Sequence, residues 1–385
     1  YVYDLLEKPD ALYHATFHWH HDYHQPIREA MYGWMAQHLK GEGNGAPIAE
    51  PPHQTEPVEE LRLFPDGSRP DDWLTLPQFA GREGRKLLEN RRQRNGANGK
   101  VDVAALRKTL IDKVLGGFPA PSSLNAQWVS IGTGSERRLT FEPELGITLS
   151  LRQPQEDGFS KPLTSEIVLL LEYEGAAVAG KSPLVAALQA KGLSVVTLDL
   201  RATGELSQPG DRIGRAPDHN TAEWSLWIGR PLLGQWTYDV LRSIEAIQAS
   251  FPDAGKRRFH VIGQGPMGLV ALCAGAASDQ FHSVAAINTL ASYVTDVPYE
   301  GQPLGIMAPG ILRDMGDVAD LAGLSQSRKV IVVGGVNSVG QSIQAAALEA
   351  QFARTAAAAQ SVDKPFGFVL LELADSAKIA ELLAE

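Results

Sequence analysis

Apolar residues recur in two alternating patterns along the C-terminal two-thirds of this chain. Short, continuous apolar runs predict six buried strands, at residues 167–171, 193–198, 259–262, 284–287, 329–333 and 366–371. Between these runs, apolar residues at helical spacing predict helices over 182–191, 233–250, 268–277, 342–359 and 376–383. Continuous apolar strands that alternate with helices indicate an α/β fold with a doubly wound, mostly parallel sheet covered on both faces.

The first 125 residues have a different pattern. Apolar side chains recur at helical spacing over residues 26–39, which predicts an amphipathic helix. Residues 41–125 are polar and rich in turn formers, with helices predicted only over 78–92 and 103–115. We therefore expect three segments: residues 1–40, a connector over 41–125, and the α/β domain over 126–385. The connector is expected to pack on its neighbours, because Trp73 and Phe79 need cover.

Composition excludes several classes of function. The formal net charge of −10, with no basic run, gives no electrostatic support to a nucleic-acid partner. No apolar run is long enough to span a membrane. Cys273 is the only cysteine among 385 residues, which excludes an internal disulfide and a structural metal site built on cysteines.

One stretch, "FHVIGQGPMGLVAL" at residues 259–272, combines a strand, a glycine turn and a helix start. Gly263, Gly265 and Gly268 have the spacing of a dinucleotide-binding turn. Against that interpretation, Pro266 and Met267 would crowd a pyrophosphate, and no acidic residue ends the following strand. The stretch also has the shape of a hydrolase nucleophile elbow, G-x-S-x-G, with Gly265 in the position of the serine.

The sequences around this turn resemble the bacterial acetylxylan-esterase-like branch of the α/β-hydrolases. The resemblance extends over about residues 163–347 and rests on three further stretches in the family's order: "VTLDLRATGEL" at 196–206, "GRPLLGQWTYDVLRSIEAI" at 229–247 and "NTLASYVTD" at 288–296. It implies the α/β-hydrolase fold. It also implies structural roles for Asp199 and Arg201, which hold a loop in the family.

The family's catalytic residues are missing from this domain. Gly265 has no hydroxyl, and Pro266 has no N–H to stabilise an oxyanion. The family's acid follows the strand at 329–333, where this chain has Asn337 and Ser338, and no histidine follows His282. We therefore predict a degenerate hydrolase domain without a catalytic triad.

Other polar residues in this domain have structural interpretations. We expect Ser338 to be a turn residue and Cys273 a buried small hydrophobe. His219 and His260 are expected to be structural. The side chains of Trp224, Trp227 and Trp236 would suit stacking on sugars if exposed, although packing of the Trp236 helix is the expected role.

A histidine-rich block near the start of the chain is the second informative stretch. In "FHWHHDYHQPIREAMYGWMAQHL", residues 17–39, a metal site built from histidines is one hypothesis. It would use His18, His20, His21 and His24, with Asp22 as the only nearby carboxylate. A second hypothesis is that these histidines only cap and pack a helix.

The block also resembles the family pattern "HDYxxxxREAMYGWxxxHL", which ends the catalytic domain of the same esterases. The histidine that opens this pattern is the triad base, and here it matches His21, with Arg28, Glu29 and Trp34 on the following helix. The resemblance implies that residues 1–40 are the last strand, loop and helix of an upstream hydrolase domain. That domain would carry the serine and the acid, and the chain would be the C-terminal part of a two-domain protein.

The expected function is therefore that of a serine ester hydrolase on carbohydrate esters, without cofactor or metal, in which the domain at 126–385 is structural or shapes the substrate site. The partner is the upstream domain, a secreted or periplasmic location is favoured, and assembly as a homo-oligomer stays open. The alternative is a non-catalytic pseudoenzyme that acts as a binding or scaffold module. A nucleotide-dependent oxidoreductase would instead need the glycine turn at 263–268.

Overall fold

A computed structural model describes residues 2–97, 102–131, 136–154, 158–159, 161–251, 257–361 and 365–385. The chain divides into two compact units, Tyr1–Trp73 and Leu74–Glu385. The boundary between the two units falls within residues 41–125, for which the hydrophobic pattern predicts a single connector. Among the described residues, every helix is too short or too polar to cross a lipid bilayer.

The first unit is built around one amphipathic helix. A short helix α1 (Val2–Leu5) precedes α2 (Gln25–Met35), which continues as a π-type turn over Ala36–Lys40. His24 is the N-cap of α2, and Gly41, in the left-handed region, ends the π turn. The described residues 2–73 contain no strand, and the assignment of residues 1–40 to an upstream domain stays a prediction.

The second unit contains a nine-stranded sheet in the order β1-β2-β3-β5-β4-β6-β7-β8-β9. The strands are β1 (Gln127–Ile131), β2 (Glu136–Glu144), β3 (Ile147–Arg152), β4 (Glu166–Leu171), β5 (Ser194–Leu198), β6 (Arg258–Gln264), β7 (Phe281–Ile287), β8 (Lys329–Val333) and β9 (Gly367–Leu371). The first three strands pair antiparallel, and β3 pairs antiparallel with β5. All pairings from β5 to β9 are parallel. The predicted mostly parallel α/β sheet is confirmed.

Helices cover both faces of this sheet. They are α3 (Leu76–Ala97), α4 (Val103–Thr109), α5 (Ala176–Ala179), α6 (Pro183–Ala190), α7 (His219–Trp227), α8 (Leu232–Ser250), α9 (Met267–Ala277), α10 (Ile311–Asp314), α11 (Val318–Gly323), α12 (Ala345–Ser361) and α13 (Ser376–Ala384). Helices α6 and α13 pack in one core with alternate residues of the parallel strands, such as Val168 and Leu170. Helices α8, α9, α11 and α12 pack with the intervening residues, such as Leu169 and Val261.

The end of the expected connector belongs to this core. A π-type turn, Leu110–Val114, follows α4, and the side chains of Leu110, Val114 and Leu115 are fully buried. Phe79, by contrast, is 46% exposed and Trp73 40%, so neither has the cover that we expected. The guanidinium of Arg69 lies 4.1 Å from the ring centroid of Trp73 and shields one of its faces.

Candidate functional site

The turn between β6 and α9 has the backbone of a nucleophile elbow. Strand β6 ends at Gln264, and α9 begins at Met267 with Pro266 as its N-cap. Gly265 lies between them with φ +53°, and its N–H donates to the carbonyl oxygen of Ile287 over 2.8 Å. A Cβ atom at Gly265 would meet no heavy atom within 4 Å. The position that carries the nucleophile in hydrolases therefore faces open space and has no side chain.

The two flanking glycines are explained by packing. A Cβ at Gly263 would lie 2.0 Å from the carbonyl oxygen of Met267, and a Cβ at Gly268 would lie 2.6 Å from the Cβ of Thr289. Strand, turn and helix approach one another so closely that only glycine fits at either position. The glycine spacing that suggests a nucleotide site thus has a structural cause without a nucleotide, and Pro266 offers no N–H to a phosphate.

A carboxyl group lies beside the elbow. Glu172 directly follows β4, and its Oε2 accepts a hydrogen bond from Nε2 of Gln264 over 3.1 Å. Its Oε1 accepts from the N–H of Tyr173 over 2.9 Å. Burial, with a further contribution from Glu174, raises the pKa of Glu172 to about 7. This group can therefore gain or lose a proton near neutral pH, and no motif in the sequence points to it.

Polar residues beyond β8 and β9 form hydrogen bonds with nearby backbone and side chains. Beyond β8, Oδ1 of Asn337 accepts from the N–H groups of Val339 and Gln341. Ser338 is buried in this turn, and its hydroxyl lies 2.8 Å from that of Thr295. Beyond β9, Oε1 of Glu372 accepts from the N–H of Ala345 over 3.1 Å. Ser338 therefore lies in a turn, as predicted, and has a hydroxyl partner that is not a base.

The loop after β5 is held by ionic contacts. Oδ1 of Asp199 accepts from the N–H of Ala176, at the start of α5, over 2.8 Å. Arg201 donates from Nε to Oδ2 of Asp239 over 2.9 Å, and its Nη1 lies 2.9 Å from Oε1 of Glu144. These contacts give Asp199 and Arg201 the loop-holding roles that the resemblance implies.

The three tryptophans of this region differ in exposure. Trp236 is fully buried in α8 and donates from Nε1 to the carbonyl oxygen of Arg201 over 2.7 Å. It is therefore unavailable for stacking on sugars, because the indole packs in the core. Trp224 and Trp227 on α7 are 51% and 72% exposed.

Of the other candidate side chains of the second unit, Cys273 and His260 are enclosed and His219 is part-exposed. Cys273 is fully buried on α9, and burial raises the pKa of its thiol to about 12. His260 is also fully buried, with Nε2 2.9 Å from Oε2 of Glu166, near the start of β6 and away from the elbow. His219 lies 3.8 Å from Glu223, four residues further along α7.

In the first unit, His21 lies on an exposed loop before α2 and makes no hydrogen bond among the described residues of that unit. Its neighbour His24 stacks on Trp19, with ring centroids 5.0 Å apart and planes inclined by 17°. Within the described part of the chain, no three histidine, cysteine, aspartate or glutamate side chains converge as a metal site would require. His18, His20, His21 and His24 are thus not brought together.

The chain is similar to several solved structures at low sequence identity. No protein-family model matches, and no curated protein matches. Among solved structures, the chain is similar to a candidate acetyl xylan esterase from Bacteroides fragilis, with 14% identity, TM-score 0.47 and coverage of 78% of each chain. It is also similar to a glucuronoyl esterase from Caldicellulosiruptor kristjansonii, with 15% identity, TM-score 0.45 and coverage of 73% and 82%. Acetyl xylan esterase 1 from Thermoanaerobacterium shares 14% identity, TM-score 0.42 and coverage of 74% and 92%. The second unit has the mostly parallel, nine-stranded sheet flanked by helices that the sequence predicts in its parallel part.

Proposed function

We propose that this chain is the C-terminal part of a serine ester hydrolase in which His21 is the general base of an upstream catalytic domain. The observation that carries the proposal is the contrast between the two units. The first presents an exposed histidine, without a hydrogen-bond partner in that unit, inside a twenty-residue esterase pattern. The second keeps the elbow backbone but has neither nucleophile nor oxyanion donor at Gly265 and Pro266.

In this proposal His21 moves two protons. The imidazole accepts the hydroxyl proton of an upstream serine as the serine oxygen attacks the ester carbonyl, forming a tetrahedral intermediate. Breakage of the bond between the carbonyl carbon and the alkoxide oxygen then leaves the acyl-enzyme. The same proton passes from the imidazolium to the departing alkoxide. In the second half of the reaction, His21 accepts a proton from a water molecule as the water oxygen attacks the acyl carbon. His21 then returns this proton to the serine oxygen as the bond between serine and the acyl group breaks. An upstream carboxylate would orient the ring.

We propose acylated carbohydrates as the substrate class, because the motifs at 196–206, 229–247 and 17–39 resemble acetylxylan-esterase-like enzymes. Such polymeric substrates favour a secreted or periplasmic location. The second unit would then be structural or would shape the substrate site, and the exposed Trp224 and Trp227 are its surface side chains best suited to stacking on a sugar ring.

A second function is supported by the elbow itself. Loss of the nucleophile and the adjacent N–H, with the backbone retained, is what a recruited pseudoenzyme would show. A binding or scaffold protein would need no base at His21. The two functions therefore predict opposite effects of substituting His21: a loss of activity for the hydrolase and no effect for the scaffold.

The test uses the natural protein purified from its source and a fluorophosphonate probe. One adduct on a serine outside this chain, together with acetyl release from an acetylated xylo-oligosaccharide, is the expected result. His21→Ala should lower kcat by at least about 10⁴-fold. His18→Ala is the matched control, because His18 is also exposed in the same segment, and it should leave kcat unchanged. Absence of any adduct would favour the scaffold function.

A further inference from the structure

The conspicuous polar residues of α2 meet a short stretch of the chain that follows it. Arg28 binds Glu50 through two hydrogen bonds, Nε to Oε1 over 2.8 Å and Nη2 to Oε2 over 2.6 Å. The hydroxyl of Tyr32, one turn later, donates to the same Oε1 over 2.7 Å. The N–H of Glu50 donates in turn to Oε1 of Glu29 over 3.0 Å. Three helix side chains therefore converge on one residue outside the helix.

The backbone of this stretch lies directly on the helix. The N–H of Ile48 donates to the carbonyl oxygen of Glu29 over 3.0 Å. A Cβ at Gly33 would lie 1.9 Å from the carbonyl oxygen of Ala46, so only glycine admits this approach. Four residues of the pattern "REAMYGW" thus form a docking face for residues 46–50: Arg28, Glu29, Tyr32 and Gly33.

Arg28 also reaches the loop that carries His21. Its Nη1 donates to the backbone carbonyl of Tyr23, two residues after His21. On the other side of the loop, His24 stacks on Trp19. Among the residues that the structure describes, Glu50 is the one anion bonded to the guanidinium, and it holds the planar fork in the orientation that meets the Tyr23 carbonyl.

We propose that Glu50 is a positioning residue for His21, acting through Arg28 on the backbone of the histidine loop. The proposal rests on the proposed function, since His21 must be the base for its position to matter. Hydrogen bonding to Arg28 lowers the pKa of Glu50 to about 2, so the carboxylate stays charged over the range in which a histidine base works. The Glu50–Arg28 pair therefore stays ionic over that range.

The test is a double-mutant cycle in the natural full-length protein. Glu50→Gln keeps the size of the side chain and removes its charge, and we expect kcat to fall about 10- to 100-fold with KM unchanged. In a His21→Ala background the same substitution should cause no further loss, because no base is left to position. Glu56→Gln is the matched control, an exposed glutamate of the same segment, and should leave kcat unchanged.

The outcomes separate the two proposals. Full activity in His21→Ala would overturn the proposed function, and the positioning role with it. A slow His21→Ala enzyme beside a fully active Glu50→Gln enzyme would overturn only the positioning role. If Glu50→Gln slowed both backgrounds by the same factor, its effect would be a general one on the fold, and the positioning role would also be wrong. Arg28→Lys, which loses the planar fork, should behave as Glu50→Gln does.

Discussion

Replacing Gly265 by serine restores the missing hydroxyl at the elbow, and the structure predicts both its cost and its failure to restore chemistry. The backbone at Gly265 has φ +53°, which costs an L-residue about 1–2 kcal/mol. Reduced freedom of the unfolded chain offsets about 0.4–1 kcal/mol of this. No atom lies within 4 Å of the added Cβ, so no clash adds to the cost. We expect the free energy of unfolding to fall by about 1 kcal/mol, or about 2–4 °C in Tm.

The new hydroxyl should remain unreactive. Pro266 has no N–H to donate to an oxyanion. Beyond β8, Asn337 bonds to turn backbone and Ser338 to Thr295, and beyond β9 Glu372 bonds to the N–H of Ala345 at the start of α12. The assay is intact-mass analysis after fluorophosphonate treatment, combined with thermal denaturation. Gly340→Ser is the matched control, because Gly340 has φ +76° and open space around it in a turn beyond β8.

Two results would refute this reasoning. A covalent adduct at position 265 in Gly265→Ser would mean that the second unit still holds a working base. A fall of more than about 3 kcal/mol in the free energy of unfolding of Gly265→Ser, against about 1 kcal/mol for Gly340→Ser, would mean that the space beside Gly265 is packed rather than open. Gly263→Ala provides the contrast, since its Cβ would lie 2.0 Å from a backbone oxygen, and it should prevent folding of the unit.

Three further changes test the surroundings of the elbow. Asp239→Ala leaves the guanidinium of Arg201 without its fully buried partner. Denaturant unfolding should show a fall of about 3 kcal/mol in the free energy of unfolding, and a fall of less than about 1 kcal/mol would contradict a stabilising role for the pair. The pKa of Glu172 is raised to about 7 from an ordinary 4.5, so protonation of this carboxyl favours the folded state. Its contribution to the free energy of unfolding is therefore lost as pH rises from about 4.5 through 7. Glu172→Gln should remove that decline from the pH dependence of Tm, and an unchanged profile would show that another group causes it. Cys273 should resist iodoacetamide until the protein unfolds, as followed by mass spectrometry, because its thiol is buried with a pKa raised to about 12.

The parallel part of the sheet was predictable because its strands are buried on both faces and appear as continuous apolar runs. The antiparallel strands β1–β3 were missed. Strand β2 alternates charged and apolar residues, as "ERRLTFEPE" shows, and its register with β3 shifts between Phe141 and Glu144. Such a pattern is weak without knowledge of the partner strand, because one of its faces keeps polar side chains.

The candidate site also has a part that the sequence predicts and a part that it does not. Gly265 and Pro266 were found because an elbow is a local feature of a few residues. Glu172 pairs with Gln264, 92 residues away, and Glu50 pairs with Arg28, 22 residues away. Neither glutamate belongs to a motif, so no pattern in the sequence distinguishes it from its exposed neighbours. Position directly after a buried strand was the one signal available for Glu172.

The elbow shows why chemistry can be lost here without a change of fold. Its three glycines satisfy different physical requirements: Gly263 and Gly268 permit close contact between strand, turn and helix, whereas Gly265 only adopts a positive φ in open space. Substitution of Gly263 or Gly268 would disturb the core. Substitution of Gly265 by serine, in contrast, changes the free energy of unfolding by about 1 kcal/mol, and the added Cβ contacts no other atom. The sheet is therefore insensitive to whether a nucleophile is present. The retained elbow backbone therefore does not require a nucleophile, and under the proposed function activity depends on His21 and on the Glu50–Arg28 pair that contacts its loop.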